Sequence, residues 1–449
     1  MAESIFKAYD IRGTYPEQLD EDGVYQIIQA YIEVVKPTKV VVTRDVREHG
    51  PQLQKAAIQS FVDAGVDVID AGLVSTDMFY WAVATLPVDG GVTLSASHNA
   101  REWNGLNMAG KGAAPISQDS GLNDIKQLAL TGHTVKSERT GTVEQHDLLD
   151  DYCRWILSLI DVEKLPTLTI AANPNHGYQG IVFERIIELG KLPISVKKIY
   201  FDPDGTFPLP EGHPNPLIEE NRHATVELVK SSQADLGVSW DADGDRCFLV
   251  DETGRFIEGY FTTAVLAVEQ LKKHPGGKVL IDPRLIWASI EAIEGAGGTA
   301  IITKPGMSLI AKRMKDEGAI FAGEMSAHYF FPETFNRDNG MLPLFRVLEL
   351  MASSGKKLSA LYDPYLSKYF VSGEINNKVE SVQNVLTAIE EQYGDGKIEH
   401  IDGVSVEFDD WRCNVRASNT EPLLRLNVEA KSSELMEEKR DELLALIRG

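Results

Sequence analysis

Three carboxylates at alternate positions stand out in the segment 241–246 (DADGDR), which lies between the runs LGVSW and CFLVD. Like charges gathered in one short loop repel one another, and a divalent cation with oxygen ligands, typically Mg²⁺, offsets that repulsion. Arg246 adds a group that binds phosphate. An EF-hand loop is rejected because Arg246 stands where that loop needs glycine. The segment predicts a magnesium site beside a phosphate, with a solvated acidic turn as the alternative.

A second polar cluster, the segment 95–99 (SASHN), directly follows the run GVTL. A serine hydroxyl in a loop at a strand end is exposed enough to act as a nucleophile or to carry a phosphoryl group. The alternative is an ordinary turn, because serine and asparagine side chains bond the local backbone. A serine hydrolase is not expected, since Ser97 and His98 are adjacent and the GxSxG elbow is absent.

Two further clusters are less specific when each is taken alone. The segment 323–328 (GEMSAH) follows the run IFA, and its Glu324 and Ser326 are spaced to bind neighbouring sugar hydroxyls. The segment 416–422 (RASNTEP) combines an arginine fork with hydroxyl and amide donors, which suits a phosphate dianion. An ordinary polar loop remains the alternative for both.

The elements that must position these clusters alternate between short β-branched runs and helical patterns, which is typical of α/β layers. Strands are predicted at 39–43, 66–70, 91–95, 168–172, 194–200, 236–240, 279–282, 299–303 and 320–322, and helices at 52–64, 181–189, 260–271 and 286–293. In open α/β sheets, ligands bind beyond the carboxyl ends of strands. The first three clusters each follow a predicted strand, so all three are candidate site loops.

Beyond about residue 366 the pattern changes to a smaller module, with strands at 404–408 and 424–428 and a last helix at 433–447. We therefore expect an α/β fold of three similar α/β domains plus a smaller C-terminal α+β domain. The predicted domains are 1–151, 152–253, 254–366 and 367–449. Each of them carries one polar cluster.

The composition is that of a globular protein, with 449 residues of which 43% are apolar and 25% charged. Acidic residues outnumber basic ones by 67 to 44, so the formal charge is −23, and we expect neither nucleic acid nor a membrane as a partner. Three distant cysteines, Cys153, Cys247 and Cys413, fit a reducing compartment. With neither a signal-peptide pattern nor a membrane-length apolar run, the expected location is the cytoplasm.

Taken in order, the four clusters resemble the motifs of the α-D-phosphohexomutase family, in particular its bacterial phosphomannomutase/phosphoglucomutase branch. The resemblance covers essentially the whole chain, from the segment 6–13 (FKAYDIRG) through 201–207 (FDPDGTF) and 213–216 (HPNP) to 416–422. It implies a four-domain fold around a central cleft. It also implies an isomerase that interconverts the 1- and 6-phosphates of mannose or glucose, as in nucleotide-sugar biosynthesis.

The resemblance further implies roles for individual residues. Ser97 corresponds to the serine that carries the phosphoryl group. The implied Mg²⁺ ligands are Ser97, Asp241, Asp243 and Asp245. The implied catalytic residues are Ser97, His98, Arg12, Arg246 and His328. The implied substrate-binding residues are Tyr9, Arg284, Glu324, Ser326, Arg416, Ser418, Asn419 and Thr420.

The implied reaction has two halves. The phosphoserine gives its phosphoryl group to the free hydroxyl of a hexose phosphate, and Ser97 then takes back the other phosphoryl group from the hexose 1,6-bisphosphate. That bisphosphate is also the expected activator. The expected partners are small hexose phosphates, and the expected state is a monomer or a weak homodimer.

Four residues depart from the family pattern. Ala100 stands in place of a proline, Asn107 in place of a lysine, Met307 in place of a histidine and Ala311 in place of a lysine. Lys111 is a candidate substitute for the missing cation at position 107 if the chain bends back. Removing one general acid or base typically costs about 10²–10⁴-fold in rate, so we expect activity that these losses can weaken.

Three alternatives stay open at this point. The first is a catalytically weak sugar-phosphate binding protein of the same fold, and the second is a phosphoglucosamine mutase. The third is a phosphatase-like reaction, in which a phosphoserine at position 97 loses its phosphate to water.

Overall fold

The structure is a computed structural model that describes residues 2–417 and 423–449. Its contacts divide the chain into two compact units: unit 1 consists of Met1–Phe256 and Phe330–Gly355, and unit 2 consists of Ile257–Tyr329 and Lys356–Gly449. The four predicted domains subdivide the chain more finely than these units, and their boundaries stay a prediction. Within the two described ranges, no helix has the length and apolarity needed to cross a membrane.

The first sheet lies in unit 1 and has the strand order β1-β5-β4-β2-β3-β7, with β6 paired to β5. Its strands are β1 (Ile11–Thr14), β2 (Lys39–Arg44), β3 (Asp67–Leu73), β4 (Gly90–Leu94), β5 (Trp103–Gly110), β6 (Ala114–Pro115) and β7 (Val143–Gln145). The accompanying helices are α1 (Glu21–Val35), α2 (Gly50–Asp63), α3 (Thr76–Thr85), α4 (Leu122–Leu130) and α5 (Leu149–Leu159). Strands β3, β2 and β4 run parallel. The central β2 is almost wholly apolar and buried because parallel strands are covered on both faces.

The second sheet, apart from Ile257 at the end of β12, also lies in unit 1, in the order β12-β11-β10-β8-β9. Its strands are β8 (Leu168–Asn173), β9 (Ile194–Lys198), β10 (Leu236–Ser239), β11 (Phe248–Asp251) and β12 (Phe256–Ile257), with helices α6 (Gln179–Gly190) and α7 (Glu219–Ser232). Strands β10 and β11 pair antiparallel, with Ser239 opposite Phe248. The acidic segment 241–246 is the connection between them, so its two ends are held by one hairpin.

The third sheet is built on β13 (Lys278–Ile281), β14 (Thr299–Ile302) and β15 (Phe321–Gly323) of unit 2. These strands run parallel in the order β14-β13-β15. Helices α8 (Gly259–Lys273), α9 (Trp287–Gly295) and α10 (Met307–Glu317) belong to the same part of the chain. The next elements are β16 (Tyr329–Phe331), β17 (Arg337–Asp338), α11 (Leu342–Ser354) and α12 (Leu358–Leu366).

The fourth sheet lies in unit 2, and its strand pairs are antiparallel. Its order is β18-β23-β22-β21-β20, with β19 paired to β23. The strands are β18 (Phe370–Val371), β19 (Ile375–Asn377), β20 (Lys397–Glu399), β21 (Val404–Glu407), β22 (Trp411–Ala417) and β23 (Leu424–Ala430), with helices α13 (Val382–Gln392) and α14 (Ser433–Arg448). The change from parallel to antiparallel sheets follows the predicted change of pattern after residue 366.

Candidate active site

Ser97 lies in the loop that leaves the carboxyl end of β4. Its side chain is buried, and its Oγ lies 3.1 Å from Oδ2 of Asp241. The backbone of Ser97 has a φ of 47°, in the left-handed region that a residue other than glycine seldom adopts. The hydroxyl of Ser95 accepts a hydrogen bond from the Ser97 N–H at 2.9 Å. The loop therefore holds Ser97 in a strained conformation that points its hydroxyl at the acidic segment, and such strain is typical of functional sites.

The three aspartates of the acidic segment are buried together. Asp241, Asp243 and Asp245 each offer a carboxylate oxygen, and these oxygens lie within 4.8 Å of one another. Oδ2 of Asp243 accepts from Thr76 Oγ1 at 2.7 Å, whereas its Oδ1 has no hydrogen-bond partner among the described residues. A buried carboxylate oxygen without a partner is costly. Converging carboxylate oxygens, with Oδ1 of Asp243 unpaired, fit the oxygen-rich coordination that Mg²⁺ prefers.

The pKa of Asp243 shows how unfavourable this arrangement is without a cation. Burial raises that pKa well above its usual value, and the charges of Asp245 and Asp241 raise it further. The hydrogen bond from Thr76 acts in the opposite direction but does not offset them. A divalent cation would offset the repulsion among these carboxylates.

Gly244 lets the acidic segment turn sharply between its last two aspartates. Its φ is 77°, and a Cβ at this position would lie 2.2 Å from Cγ of Gln179. Nε2 of Gln179 donates to the Gly244 carbonyl oxygen at 2.5 Å. Because both the backbone angle and the close approach exclude a side chain, glycine is required for this turn.

Two arginines predicted for the site lie next to the serine loop in unit 1. The guanidinium of Arg12 donates to Asp10 Oδ2 at 2.8 Å and to Asn99 Oδ1 at 2.7 Å. Nε of Arg246 lies 3.2 Å from Asp241 Oδ2. Both arginines are buried. Burial lowers the pKa of Arg12, but the carboxylate of Asp10 more than reverses this effect, so Arg12 stays charged.

His98 lies between the serine and one of these arginines. Its Nδ1 is 3.2 Å from Ser97 Oγ and 2.6 Å from an Arg246 nitrogen. Since a guanidinium can only donate, Nδ1 of His98 acts as an acceptor in that contact. Tyr9, predicted to bind substrate, lies half-buried in the loop before β1.

Arg47 is a site residue that the sequence reasoning missed. Its guanidinium is fully buried and donates to the backbone carbonyl oxygens of Ser97, Asn99 and Ala100 at 2.7 Å each, and to that of Trp103 at 2.9 Å. Four carbonyl acceptors from one loop match the fixed fork of donors that arginine presents. Arg47 therefore shapes the serine loop, although it lies about fifty residues away in the chain and its segment carries no signal of that contact.

A second group of predicted residues lies in unit 2, on the loops after β13 and β15. Arg284 is buried and donates to both oxygens of Asp282, at 3.0 and 2.7 Å, and to Ser326 Oγ at 3.3 Å. Nδ1 of His328 lies 3.1 Å from Glu324 Oε2 and 3.0 Å from Ser326 Oγ. The structure thus brings together Arg284, Glu324 and Ser326, which were predicted to bind substrate, and His328, which was predicted to be catalytic; their roles stay a prediction.

Glu324 is held in its ionised form by this group. Burial raises the pKa of its carboxyl group, but His328, Arg284 and the Gly306 N–H lower it by more, so the net direction is downward. The Gly306 N–H donates to Glu324 Oε1 at 3.1 Å. A carboxylate that stays charged is a good acceptor for sugar hydroxyls.

Glu374 is a further residue that the sequence reasoning missed. It lies between β18 and β19, and its carboxylate faces three arginines: Arg416 at 3.0 Å, Arg425 at 3.3 Å and Arg284 at 3.7 Å. Burial raises the pKa of Glu374, but the three guanidinium groups outweigh it and lower the pKa to about 2. Glu374 thereby holds three cations close together, which is the requirement of a phosphate-binding group.

Replacing Glu374 with glutamine is expected to destabilise unit 2 in a pH-dependent way. Because the folded-state pKa lies below the usual 4.5, the ionised group contributes stability above about pH 4.5 and loses it as the pH falls toward about 2. The shift corresponds to about 3 kcal/mol at neutral pH. Urea unfolding of the wild type and of Glu374→Gln, measured at pH 7 and again near pH 3.5, should show a difference that shrinks in acid.

The exposed Glu391 of α13 offers a matched control in the same unit. Glu391→Gln should leave the urea midpoint unchanged at both pH values. A Glu374→Gln protein as stable as the wild type at pH 7 would contradict the pairing with the three arginines.

Three predicted phosphate-binding residues, Ser418, Asn419 and Thr420, lie outside the described residues. Arg416, the first residue of the same motif, is buried near the end of β22 and bonded to Glu374. Of the four predicted phosphate-binding residues, Arg416 is therefore the one whose position the structure describes.

The structure corrects the expectation that Lys111 replaces the cation missing at position 107. Asn107 is buried in β5 opposite Thr93. The Lys111 side chain is 80% exposed and pairs with Asp89 at 3.3 Å, because Lys111 lies in the surface turn where the chain reverses from β5 into β6. Met307 and Ala311 are both buried on α10, as side chains that pack.

Comparison with known families matches the chain along almost its full length. The models for alpha/beta/alpha domains I, II and III of phosphoglucomutase/phosphomannomutase match residues 3–135, 150–254 and 258–369, and that for the C-terminal domain matches residues 374–446. The chain belongs to the phosphoglucomutase/phosphomannomutase family. The predicted family is thereby confirmed, as is the predicted fold class of three α/β domains and a smaller fourth.

Individual relatives are similar over their whole length. A phosphomannomutase from Salmonella montevideo is 41% identical, and the match covers 99% of each chain. A protein from Xanthomonas campestris described as phosphohexose mutases is 40% identical, again over 99% of each chain. A crystal structure of a phosphoglucomutase/phosphomannomutase family protein from Burkholderia thailandensis superimposes with a TM-score of 0.88 at 28% identity, covering 100% of this chain and 98% of that one.

Proposed function

We propose that this chain is a Mg²⁺-dependent phosphohexomutase that interconverts hexose 1-phosphate and hexose 6-phosphate, of mannose or glucose, with Ser97 as its phosphoryl carrier. Its family and its phosphomannomutase relatives support an isomerase of this kind. The observation that carries the proposal is the distance of 3.1 Å between Ser97 Oγ and Asp241 Oδ2. A serine hydroxyl beside three buried carboxylates is suited to phosphoryl transfer.

The Mg²⁺ ligands proposed are Asp241, Asp243 and Asp245, together with an oxygen carried by Ser97. When bound, Mg²⁺ would offset negative charge on the transferring phosphoryl group. Arg246 is bonded to Asp241 and adds a fixed positive charge beside Ser97. Arg47 holds the backbone of the serine loop, so that little reorganisation is needed during transfer.

In the first half-reaction, the P–O bond to Ser97 Oγ breaks and a P–O bond to the sugar hydroxyl forms. The hydroxyl gives up its proton, and Ser97 Oγ takes one up. Nδ1 of His98, 3.2 Å from Oγ, is proposed to take the proton from the sugar hydroxyl and to pass it to Ser97 Oγ as the P–O bond to the serine breaks. The second half-reaction reverses these steps with the other phosphoryl group of the hexose 1,6-bisphosphate, which we also propose as the activator.

Substrate binding is proposed for Tyr9 in unit 1 and for Arg284, Glu324 and Ser326 in unit 2. Catalytic roles are proposed for Arg12 and for His328. The carboxylate of Glu324 and the hydroxyl of Ser326 suit sugar hydroxyls, while Arg416 suits a phosphate. Ser418, Asn419 and Thr420 are proposed to complete the phosphate contacts.

We also propose that the enzyme acts in the cytoplasm on small hexose phosphates, as a monomer or weak homodimer. The three cysteines are free and buried, which suits a reducing compartment. The formal charge of −23 disfavours nucleic acid and anionic membranes as partners.

The test is turnover of mannose 1-phosphate and of glucose 1-phosphate with a catalytic amount of the hexose 1,6-bisphosphate, followed by ³¹P NMR. The expected result is the 6-phosphate with little inorganic phosphate, and an intact mass showing one added phosphoryl group. Tight binding of the hexose phosphate in calorimetry without turnover would instead indicate a sugar-phosphate binding protein. Release of inorganic phosphate in proportion to the substrate consumed would instead indicate a phosphatase.

A further inference from the structure

The first turn of α3 contacts the acidic segment, although the two are far apart in the chain. The Thr76 N–H donates to the Asp243 carbonyl oxygen at 2.8 Å. The Thr76 hydroxyl donates to Oδ2 of the same aspartate at 2.7 Å. Both residues are at most 1% exposed, so water cannot replace either bond. One threonine thus holds both the main chain and the side chain of Asp243.

These two bonds determine which carboxylate oxygen of Asp243 remains available. Oδ2 is taken by Thr76 and, at the longer distance of 3.3 Å, by the hydroxyl of Ser95. Oδ1 is buried without a partner among the residues that the structure describes. Because the carboxylate is planar, fixing Oδ2 and the backbone also fixes the direction of Oδ1.

The neighbouring Asp77 holds the next residue of the same segment through an intermediate. Its carboxylate accepts from Gln179 Nε2 at 2.9 Å and from the Tyr152 hydroxyl at 2.7 Å. The Gln179 amide in turn donates to the Gly244 carbonyl oxygen. The turn at residues 75–77 therefore supports two successive residues of the acidic segment, by one direct and one indirect route.

The contact is not explained by the needs of the helix. Thr76 is the first residue of α3, and Ser75 occupies the position before it. A threonine at a first helical position has no carbonyl of its own helix to bond, and its hydroxyl would ordinarily bond water. Here the hydroxyl is instead buried against a carboxylate from another sheet.

We propose that Thr76 is a positioning residue for the metal site: it orients Asp243 so that Oδ1 faces the cation. The proposal rests on the proposed function only in taking Asp243 as a metal ligand. Outer hydrogen bonds to a metal ligand reduce the freedom of that ligand, and losing one typically costs 10–100-fold in metal affinity. Thr76 touches neither the substrate nor the phosphoryl group in this assignment. Loss of its hydroxyl should therefore act on the affinity for the metal and not directly on the chemical step.

The experiment measures Mn²⁺ binding to the full-length chain by the loss of the free-ion EPR signal, with Mn²⁺ as an oxygen-preferring stand-in for Mg²⁺. Thr76→Val keeps the shape of the side chain and removes the hydroxyl. Its dissociation constant is expected to rise by roughly 10–100-fold. Thr76→Ser restores the hydroxyl and should stay within about threefold of the wild type, because affinity follows the hydrogen bond and not the methyl group.

The chain offers a matched control in Thr43 of β2. This threonine is fully buried in the same unit, and its hydroxyl has no partner anywhere in residues 2–417 and 423–449. Thr43→Val should leave Mn²⁺ binding unchanged. Circular dichroism and thermal unfolding in EDTA would show that each variant is folded, and Thr76→Ala replaces Thr76→Val, with the same expectation, if the valine variant does not fold.

Two results would overturn the proposal. One is Mn²⁺ binding by the folded Thr76→Val protein with the affinity of the wild type. The other is Thr76→Ser binding as weakly as Thr76→Val, which would assign the effect to packing. A wild type that binds Mn²⁺ through Asp243 but turns over no hexose phosphate would sink the proposed function and leave this inference standing.

Discussion

Ser97→Ala is expected to abolish hexose-phosphate interconversion and to remove the added phosphoryl group from the protein. The serine hydroxyl is the only atom that the proposed cycle gives for carrying the phosphoryl group between the two sugar oxygens. Without it, neither half-reaction has a donor or an acceptor. Removal of a covalent nucleophile should lower kcat by on the order of 10⁴-fold or more. The measurements are ³¹P NMR of the substrates and the intact mass of the protein.

Ser95→Ala is the matched control for this prediction. Ser95 lies in the same buried loop, and its hydroxyl accepts from the Ser97 N–H. The variant loses that support and should turn over more slowly, yet it should keep the added phosphoryl group. Turnover by Ser97→Ala within about tenfold of the wild type would remove the covalent mechanism altogether.

Asp243→Asn is expected to have two effects of opposite sign. It should lower kcat by on the order of 10³-fold, because several kcal/mol of charge stabilisation depend on the bound metal. It should also raise the melting temperature of the protein in EDTA. The second effect follows from burial and from the charges of Asp245 and Asp241, which raise the pKa of Asp243 and make its ionised form unfavourable in the fold.

Hexose-phosphate turnover measures the effect on kcat, and differential scanning calorimetry with and without Mg²⁺ measures the effect on stability. The melting temperature of the wild type should rise on adding Mg²⁺. The melting temperature of Asp243→Asn should be higher than that of the wild type in EDTA and should rise little on adding Mg²⁺. Asp124→Asn, at an exposed position of α4 in the same unit, is the control and should behave as the wild type. An equal Mg²⁺-dependent gain in Asp243→Asn and the wild type would show that Asp243 does not bind the cation.

Much of the fold could be predicted because periodic patterns report burial directly. The run KVVVT at 39–43 is apolar at almost every position, and it forms a central parallel strand buried on both faces. The predicted helix at 52–64 corresponds to α2, two residues away at its start and one at its end. The division into two compact units could not be predicted, because it depends on which side chains meet across the chain.

The candidate site was predictable where chemistry is concentrated in short segments. The acidic segment and the serine loop each carry their polar atoms within a few residues, so their spacing made them candidates, and the family resemblance then predicted a metal site and a phosphoryl carrier. Arg47, Thr76 and Glu374 were missed for the opposite reason. Each is a single polar residue in an unremarkable context, and its partners lie far along the chain. Lys111 shows the same limit, since only the path of the chain after β5 places it at the surface.

The sequence by itself determined the layered α/β order and the family, and it indicated which atoms are candidates to carry a phosphoryl group or to bind a cation. These properties are local, since they depend on residue type and on spacing over a few positions. Only the tertiary structure decided that Asp241 approaches Ser97, that Arg47 holds the serine loop, and that one oxygen of Asp243 stays unpaired. Those outcomes depend on hydrogen bonds between residues up to about 170 positions apart, and such bonds leave no periodic trace in the chain.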